Sequence, residues 1–78
     1  MTPRELQRLR QTAFVAGAAF RAAQGGRLTQ PALLAAAANA RARIDQLTAE
    51  LGGTAEDAKW IAAAFVAGAE NNVEAASG

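Results

Sequence analysis

The segment Leu51-Gly52-Gly53-Thr54-Ala55-Glu56-Asp57 ends one helix and begins the next. Glycine readily takes the left-handed backbone conformation that commonly follows a helix. The threonine after the glycines is a helix-start residue, and the two carboxylates behind it favour the positive end of a helix dipole. Because the connection is so short, it predicts two antiparallel helices that lie side by side.

The rest of the chain follows the same plan. A second glycine pair, Gly25-Gly26, is followed by Thr29-Gln30-Pro31, in which Thr29 or Gln30 precedes a proline suited to the first helical position. The chain opens with Thr2-Pro3-Arg4-Glu5, where Thr2 and Glu5 have the spacing of a capping box. Each helix start is therefore marked in the sequence, and the first two helices each end at a glycine pair.

These signals, with 23 alanines among 78 residues, predict an all-α fold of one domain over residues 1–78. We expect helices near 3–24, 30–51 and 54–75, with breaks at 25–29 and 52–53, arranged as a small up-down three-helix bundle. Two forms stay open: a bundle closed by itself, and one completed by oligomerisation or a partner chain. A chain this short buries roughly 60% of its unfolded surface, and without cysteine it has no disulfide to help.

Each helix carries one stripe of apolar residues at three- and four-residue spacing, and we expect these stripes to face the core. In the first helix the stripe is Leu6, Leu9, Ala13, Ala16, Phe20 and Ala23. In the second it is Leu33, Ala37, Ala40, Ile44, Leu47 and Leu51, and in the third Ala58, Ile61, Ala62, Phe65, Ala69 and Val73.

The first helix has a second apolar face, formed by Phe14, Val15, Ala18 and Ala22. A helix in a three-helix bundle has two neighbours and one open side, so something else should cover this face. Either the twist of the bundle or the C-terminal tail covers it, or another chain does. The last case predicts a partner-binding surface, because soluble monomers rarely keep a bare apolar patch.

Trp60 lies away from the apolar stripe of the third helix. One interpretation places it flat on the surface or under a chain end. The other makes it an anchor for a partner, since tryptophan is enriched among the residues that dominate binding energy. We therefore list Trp60 with the four residues of the second apolar face as candidate partner-binding residues.

The hexapeptide Ala-Phe-Val-Ala-Gly-Ala occurs twice, at 13–18 and at 64–69. Both a degenerate duplication and chance in an alanine-rich chain account for it. Each copy spaces two small residues four apart, Ala13 with Gly17 and Ala64 with Gly68, and such spacing lets helix backbones approach closely. A mid-helix glycine costs about 1 kcal/mol relative to alanine, so we expect close contacts that require both glycines.

The inventory of reactive side chains predicts that the chain is not an enzyme. Histidine, cysteine and tyrosine are absent, and these supply most general bases and nucleophiles. The single lysine, Lys59, follows Glu56 closely, and the single serine, Ser77, lies in the tail. No phosphate-binding glycine loop or calcium loop is present. We expect no cofactor and no metal.

Four arginines, Arg4, Arg8, Arg41 and Arg43, form a candidate basic rim on the first two helices. Phosphate contacts need such cations, but seven acidic residues offset them and the net charge is +1. No apolar run approaches the length of a membrane span, and residues 1–5 lack the apolar core of a secretory signal. We expect a cytoplasmic protein, or a virion-associated one if a phage encodes it.

Together these patterns predict non-enzymatic protein–protein association through the apolar face of the first helix. The chain would be a homo-oligomer, or a small subunit or adaptor of a larger assembly. Its alanine- and arginine-rich character suits an accessory protein of a phage or mobile element. The alternative function is arginine-dependent nucleic-acid binding by a helical protein.

Overall fold

The computed structural model describes the backbone of residues 1–25 and 27–77, and the side chains of residues 1–25 and 27–70. Three helices account for most of it: α1 (Pro3–Ala23), α2 (Gln30–Glu50) and α3 (Ala55–Ser77). No strand occurs in the part of the chain that the model describes. The predicted all-α three-helix bundle is confirmed. The first two helices begin at the predicted residues, and the other helix boundaries differ from the predicted ones by one or two residues.

The helix ends follow the predicted local chemistry. Gly25 and Gly52 have φ angles of 69° and 72°, the left-handed conformation expected after α1 and α2. At the start of α1, the backbone N–H of Thr2 donates to Oε1 of Glu5 at 2.9 Å, and the N–H of Glu5 donates to Oγ1 of Thr2. The hydrogen bond from the Thr2 backbone N–H to the carboxylate lowers the pKa of Glu5, and the Thr2 side chain adds a smaller effect in the same direction. Thr29 caps α2, where its hydroxyl accepts from the N–H of Ala32.

Helix α3 is the centre of the bundle. It packs against both α1 and α2, whereas no described Cα of α1 lies within 8 Å of a Cα of α2. Helices α1 and α3 run parallel, since Arg10 lies over Trp60 and Arg21 reaches the carbonyl of Ala69 further along both helices. The bundle is therefore open between α1 and α2.

The core lies along α3. Its buried cluster comprises Ala13, Ile44, Ala58, Ile61 and Phe65. The ring of Phe20 packs beside that of Phe65, with 6.4 Å between centroids. Of the predicted α3 stripe, Ala58, Ile61, Phe65 and Ala69 are buried and Ala62 is partly buried. Val73 falls outside the described side chains.

The stripes of α1 and α2 were predicted only in part. Leu33 and Ile44 are buried, but Leu47 and Leu51 are 37% and 41% exposed, and Thr48 is buried instead. The α2 stripe was predicted on the expectation that α2 packs against both α1 and α3. Because the α1 backbone stays away, only the side of α2 that faces α3 is covered.

A similar shift occurs in α1. Ala16 and Ala23, which were expected to face the core, are exposed, and Gly17 is buried beside Ala13. The buried side of α1 is turned toward α3 alone, since α2 provides no second backbone to pack against. Ala16 instead lines the opening between α1 and α2.

The two copies of the repeated hexapeptide pack against each other. A Cβ atom added to Gly17 would overlap the carbonyl oxygen of Phe65 and lie 2.9 Å from the backbone nitrogen of Ala69. A Cβ atom added to Gly68 would overlap the carbonyl oxygen of Phe14. The expected close contacts at both glycines are thus present.

These contacts are reciprocal. Phe14 and Phe65, like Gly17 and Gly68, occupy the same places in the two hexapeptides, so exchanging α1 with α3 turns one contact into the other. Two parallel helices related in this way have a local twofold axis between them. One self-complementary sequence therefore serves both sides of the α1–α3 contact, which gives the repeat a physical role.

The buried hydroxyl of Thr48 leads to a stability prediction. Its Oγ1 has no hydrogen-bond partner among the described residues, and an unsatisfied buried polar group costs about 1–3 kcal/mol. Thr48→Val keeps the shape and removes the hydroxyl, so we expect urea denaturation to show a free energy of unfolding raised by about 1 kcal/mol. A decrease on this substitution would mean that the hydroxyl is hydrogen-bonded.

Candidate association surfaces

Phe14 and Trp60 lie on one surface of the α1–α3 pair. Their side chains are 41% and 50% exposed. Arg10 connects them: it lines a shallow depression with Gln7, Gln11, Phe14 and Ala64, and its guanidinium carbon lies 5.9 Å from the centroid of the Trp60 ring. We call Gln7, Arg10, Phe14, Trp60 and Ala64 the Phe14–Trp60 surface.

The close α1–α3 contact positions these aromatic side chains. The backbone of Phe14 packs directly on Gly68, which fixes the residue at the edge of the contact. Trp60 comes one helical turn before Ala64, the first residue of the second hexapeptide. Because the paired hexapeptides place the two parallel helices in register, Trp60 lies level with Leu9 in the first half of α1, within reach of Arg10.

The remaining candidate residues of α1 are distributed differently. Val15 is 59% exposed and lines another depression with Arg8, Gln11 and Thr12. Ala18 is partly buried, and Ala22 is exposed. The structure therefore brings together Phe14 and Trp60, whereas Val15 lies in an adjoining depression that shares Gln11 with the one beside Phe14.

The four arginines of the candidate basic rim do not form one surface. Arg41 is bonded to Asp45, with Nε and Oδ1 2.9 Å apart, and both line a depression beside the α2–α3 turn. Arg43 lines the opening between α1 and α2, and Arg4 and Arg8 are exposed on α1. Arg10, the arginine beside Trp60, was not among the predicted residues. The signal for it is its position one turn before Phe14.

A groove of about 190 Å³ lies between α1 and α2 above α3. Ile61 and Phe65 of α3 lie at its base, and Leu9 of α1 and Leu47 of α2 lie at its sides. The remaining lining residues are Thr12, Ala13, Ala16, Ala40, Arg43 and Ile44. The sequence did not predict this groove, because it placed Leu47 in a core that α1 was expected to close.

Within residues 1–25 and 27–70, no three acidic side chains come together as a metal-binding group. No described helix is both long enough and apolar enough to cross a membrane. Comparison of the chain with protein-family models, with curated proteins and with solved structures gave no match.

Proposed function

We propose that this chain is a non-catalytic association subunit that binds another protein chain through the Phe14–Trp60 surface. The partner is a second copy in a homo-oligomer, or a component of a larger assembly on which the chain acts as an adaptor. Such a role suits a cytoplasmic or virion-associated accessory protein of a phage or mobile element. The main observation in support of this proposal is that two half-exposed aromatic side chains, Phe14 and Trp60, lie on one surface and that Arg10 lies between them.

The energetics of these side chains favour association. Full burial of a large apolar side chain stabilises by about 1.5–3 kcal/mol, and Phe14 and Trp60 are each about half exposed. The Arg10–Trp60 contact adds to this, because a cation–π pair worth about 0.5–1 kcal/mol at an exposed site becomes worth about 2 kcal/mol when water is removed. Tryptophan and arginine are also the residues most enriched at the centres of interfaces.

The small size of the chain also favours association with another chain. A domain this small has a marginal core, and its bundle is open between two helices. Contact with another chain would bury additional apolar surface at the Phe14–Trp60 surface and in the opening between α1 and α2. The chain also has no histidine, cysteine or tyrosine with which to build the usual nucleophile and base pairs.

Light scattering at two salt concentrations tests the proposal. We expect an oligomer whose mass does not depend on salt, since apolar burial drives the contact. Phe14→Glu should shift the equilibrium toward monomer by about tenfold or more, because association would then bury a charge. Leu34→Glu is the matched control: Leu34 is 64% exposed on α2, and its substitution should change nothing.

Two results would contradict this function. If Phe14→Glu and Leu34→Glu affect the mass equally, the Phe14–Trp60 surface is not the contact. A monomer that binds DNA only at low salt would instead support the nucleic-acid alternative, because phosphate contacts weaken as salt rises.

A further inference from the structure

The exposed residues on one side of helix α2 include Arg43, Leu47 and Glu50. Residues seven apart on a helix are separated by about 10.5 Å and by only about 20° around its axis. Arg43 and Glu50 therefore lie one above the other, with Leu47 between them. This arrangement places opposite charges on either side of an exposed apolar side chain.

Neither charge has an opposite partner on its own helix. The residues three and four positions from Arg43 are alanine, asparagine, glutamine and leucine, and those around Glu50 are likewise uncharged. No ion pair of Arg43 or Glu50 occurs within the described part of the chain, whereas Arg41 pairs with Asp45 on the same helix. Both charges are thus available to another molecule.

We infer that α2 pairs in antiparallel fashion with α2 of a second copy of this chain. A twofold axis between positions 46 and 47 brings Arg43 of each copy opposite Glu50 of the other, and it sets the two Leu47 side chains next to the axis. A parallel pair would place Arg43 beside Arg43 and Glu50 beside Glu50. The charges therefore select a second copy, and they select its direction.

The end of α2 gives an independent reason for the same pairing. Glu50 is the last residue of α2, and the last turn holds no basic residue. A carboxylate there is unfavourable because it adds to the negative end of the helix dipole. In the antiparallel pair, Arg43 of the second copy lies against this end and compensates both the carboxylate and the free carbonyl groups.

The apolar part of the contact continues into the groove. Leu47 lines the side of the groove opposite Leu9 and Thr12, so the second copy's Leu47 would pack at its opening. The overlap is limited to two turns of α2, and it therefore gives a small, reversible interface of the weak class. This surface goes beyond the proposed function, since the groove shares no lining residue with the depression beside Phe14.

Charge reversal tests this pairing by sedimentation velocity at low salt, up to millimolar protein, with every sample carrying Phe14→Glu so that the Phe14–Trp60 surface does not contribute. Arg43→Glu and Glu50→Arg each place like charges opposite each other twice, and each should weaken the homodimer by about tenfold or more. The double variant Arg43→Glu/Glu50→Arg restores both pairs and should dimerise like the chain that carries Phe14→Glu alone. Arg4→Glu, an equal charge change on exposed α1, should have no effect.

An equimolar mixture of the two single variants is the decisive sample. One variant then offers glutamate at both positions and the other arginine at both, so heterodimers should form although neither variant pairs with itself. A mixture that stays monomeric would overturn the inference, as would a double variant that does not dimerise or a chain with Arg43 and Glu50 intact and only Phe14→Glu that stays monomeric at millimolar concentration. Because Trp60 lies outside this contact, its fluorescence should not change, which separates this result from the test of the Phe14–Trp60 surface.

Discussion

Phe65→Glu should unfold the chain, whereas Phe14→Glu should leave it folded, although the two phenylalanines occupy the same place in identical hexapeptides. Phe65 is only 8% exposed and lies in the buried cluster. Its loss removes a large core side chain, at about 3–5 kcal/mol, and the new carboxylate would be buried without a partner. That sum is comparable to the whole stability expected of a domain this small.

Phe14 has a different environment. At 41% exposure, its replacement should cost about 1 kcal/mol of the free energy of unfolding, roughly half the value of a fully buried side chain. Circular dichroism during thermal unfolding measures both variants: helix content should be lost in Phe65→Glu and retained in Phe14→Glu. If Phe14→Glu unfolds the chain as completely as Phe65→Glu, Phe14 belongs to the core and the proposed interface is wrong.

Gly17→Ala and Gly68→Ala should each destabilise the chain, which is the reverse of the usual effect in a helix. Alanine in place of a mid-helix glycine normally stabilises by about 1 kcal/mol. Here the added methyl groups would overlap the carbonyl oxygens of Phe65 and Phe14. Backbone atoms cannot turn away as a side chain does, so α1 and α3 must separate, at a net cost of about 1–3 kcal/mol.

Urea denaturation measures these losses, and Ala19→Gly provides the control. Ala19 is exposed in α1, so this change should cost only the propensity difference of about 1 kcal/mol. The double variant Gly17→Ala/Gly68→Ala should lose less than the sum of the single variants, because one separation of the helices relieves both overlaps. If either alanine raised the free energy of unfolding, the backbones of α1 and α3 could not be in direct contact at Gly17 and Gly68.

The helices could be predicted because their signals are local. Capping at Thr2 and Thr29 and the left-handed turns at Gly25 and Gly52 depend on residues within one or two turns, so the sequence alone is sufficient. The α3 stripe was also predicted, since α3 lies between both neighbours and its Phe65 side is covered in any three-helix arrangement.

The open side of the bundle could not be predicted in this way. Periodicity shows which residues share a face, but not whether a second helix reaches it. Leu47 and Thr48 differ by one position, and the absence of α1 beside α2 decides which of them is buried. The Arg10–Trp60 contact likewise depends on the register of α1 against α3. Aligning the two copies of the hexapeptide gives that register, but only if α1 and α3 are already known to run parallel.

The most direct test of the proposed association uses Trp60 itself. It is the only tryptophan and the chain has no tyrosine, so its fluorescence reports on this surface alone. Emission wavelength and acrylamide quenching are followed with light scattering as the protein concentration rises. We expect the emission to shift to shorter wavelength and the quenching to fall as the mass increases, and we expect Phe14→Glu to abolish these changes. Trp60 that stays as accessible at the highest concentration as at the lowest would contradict association through the Phe14–Trp60 surface.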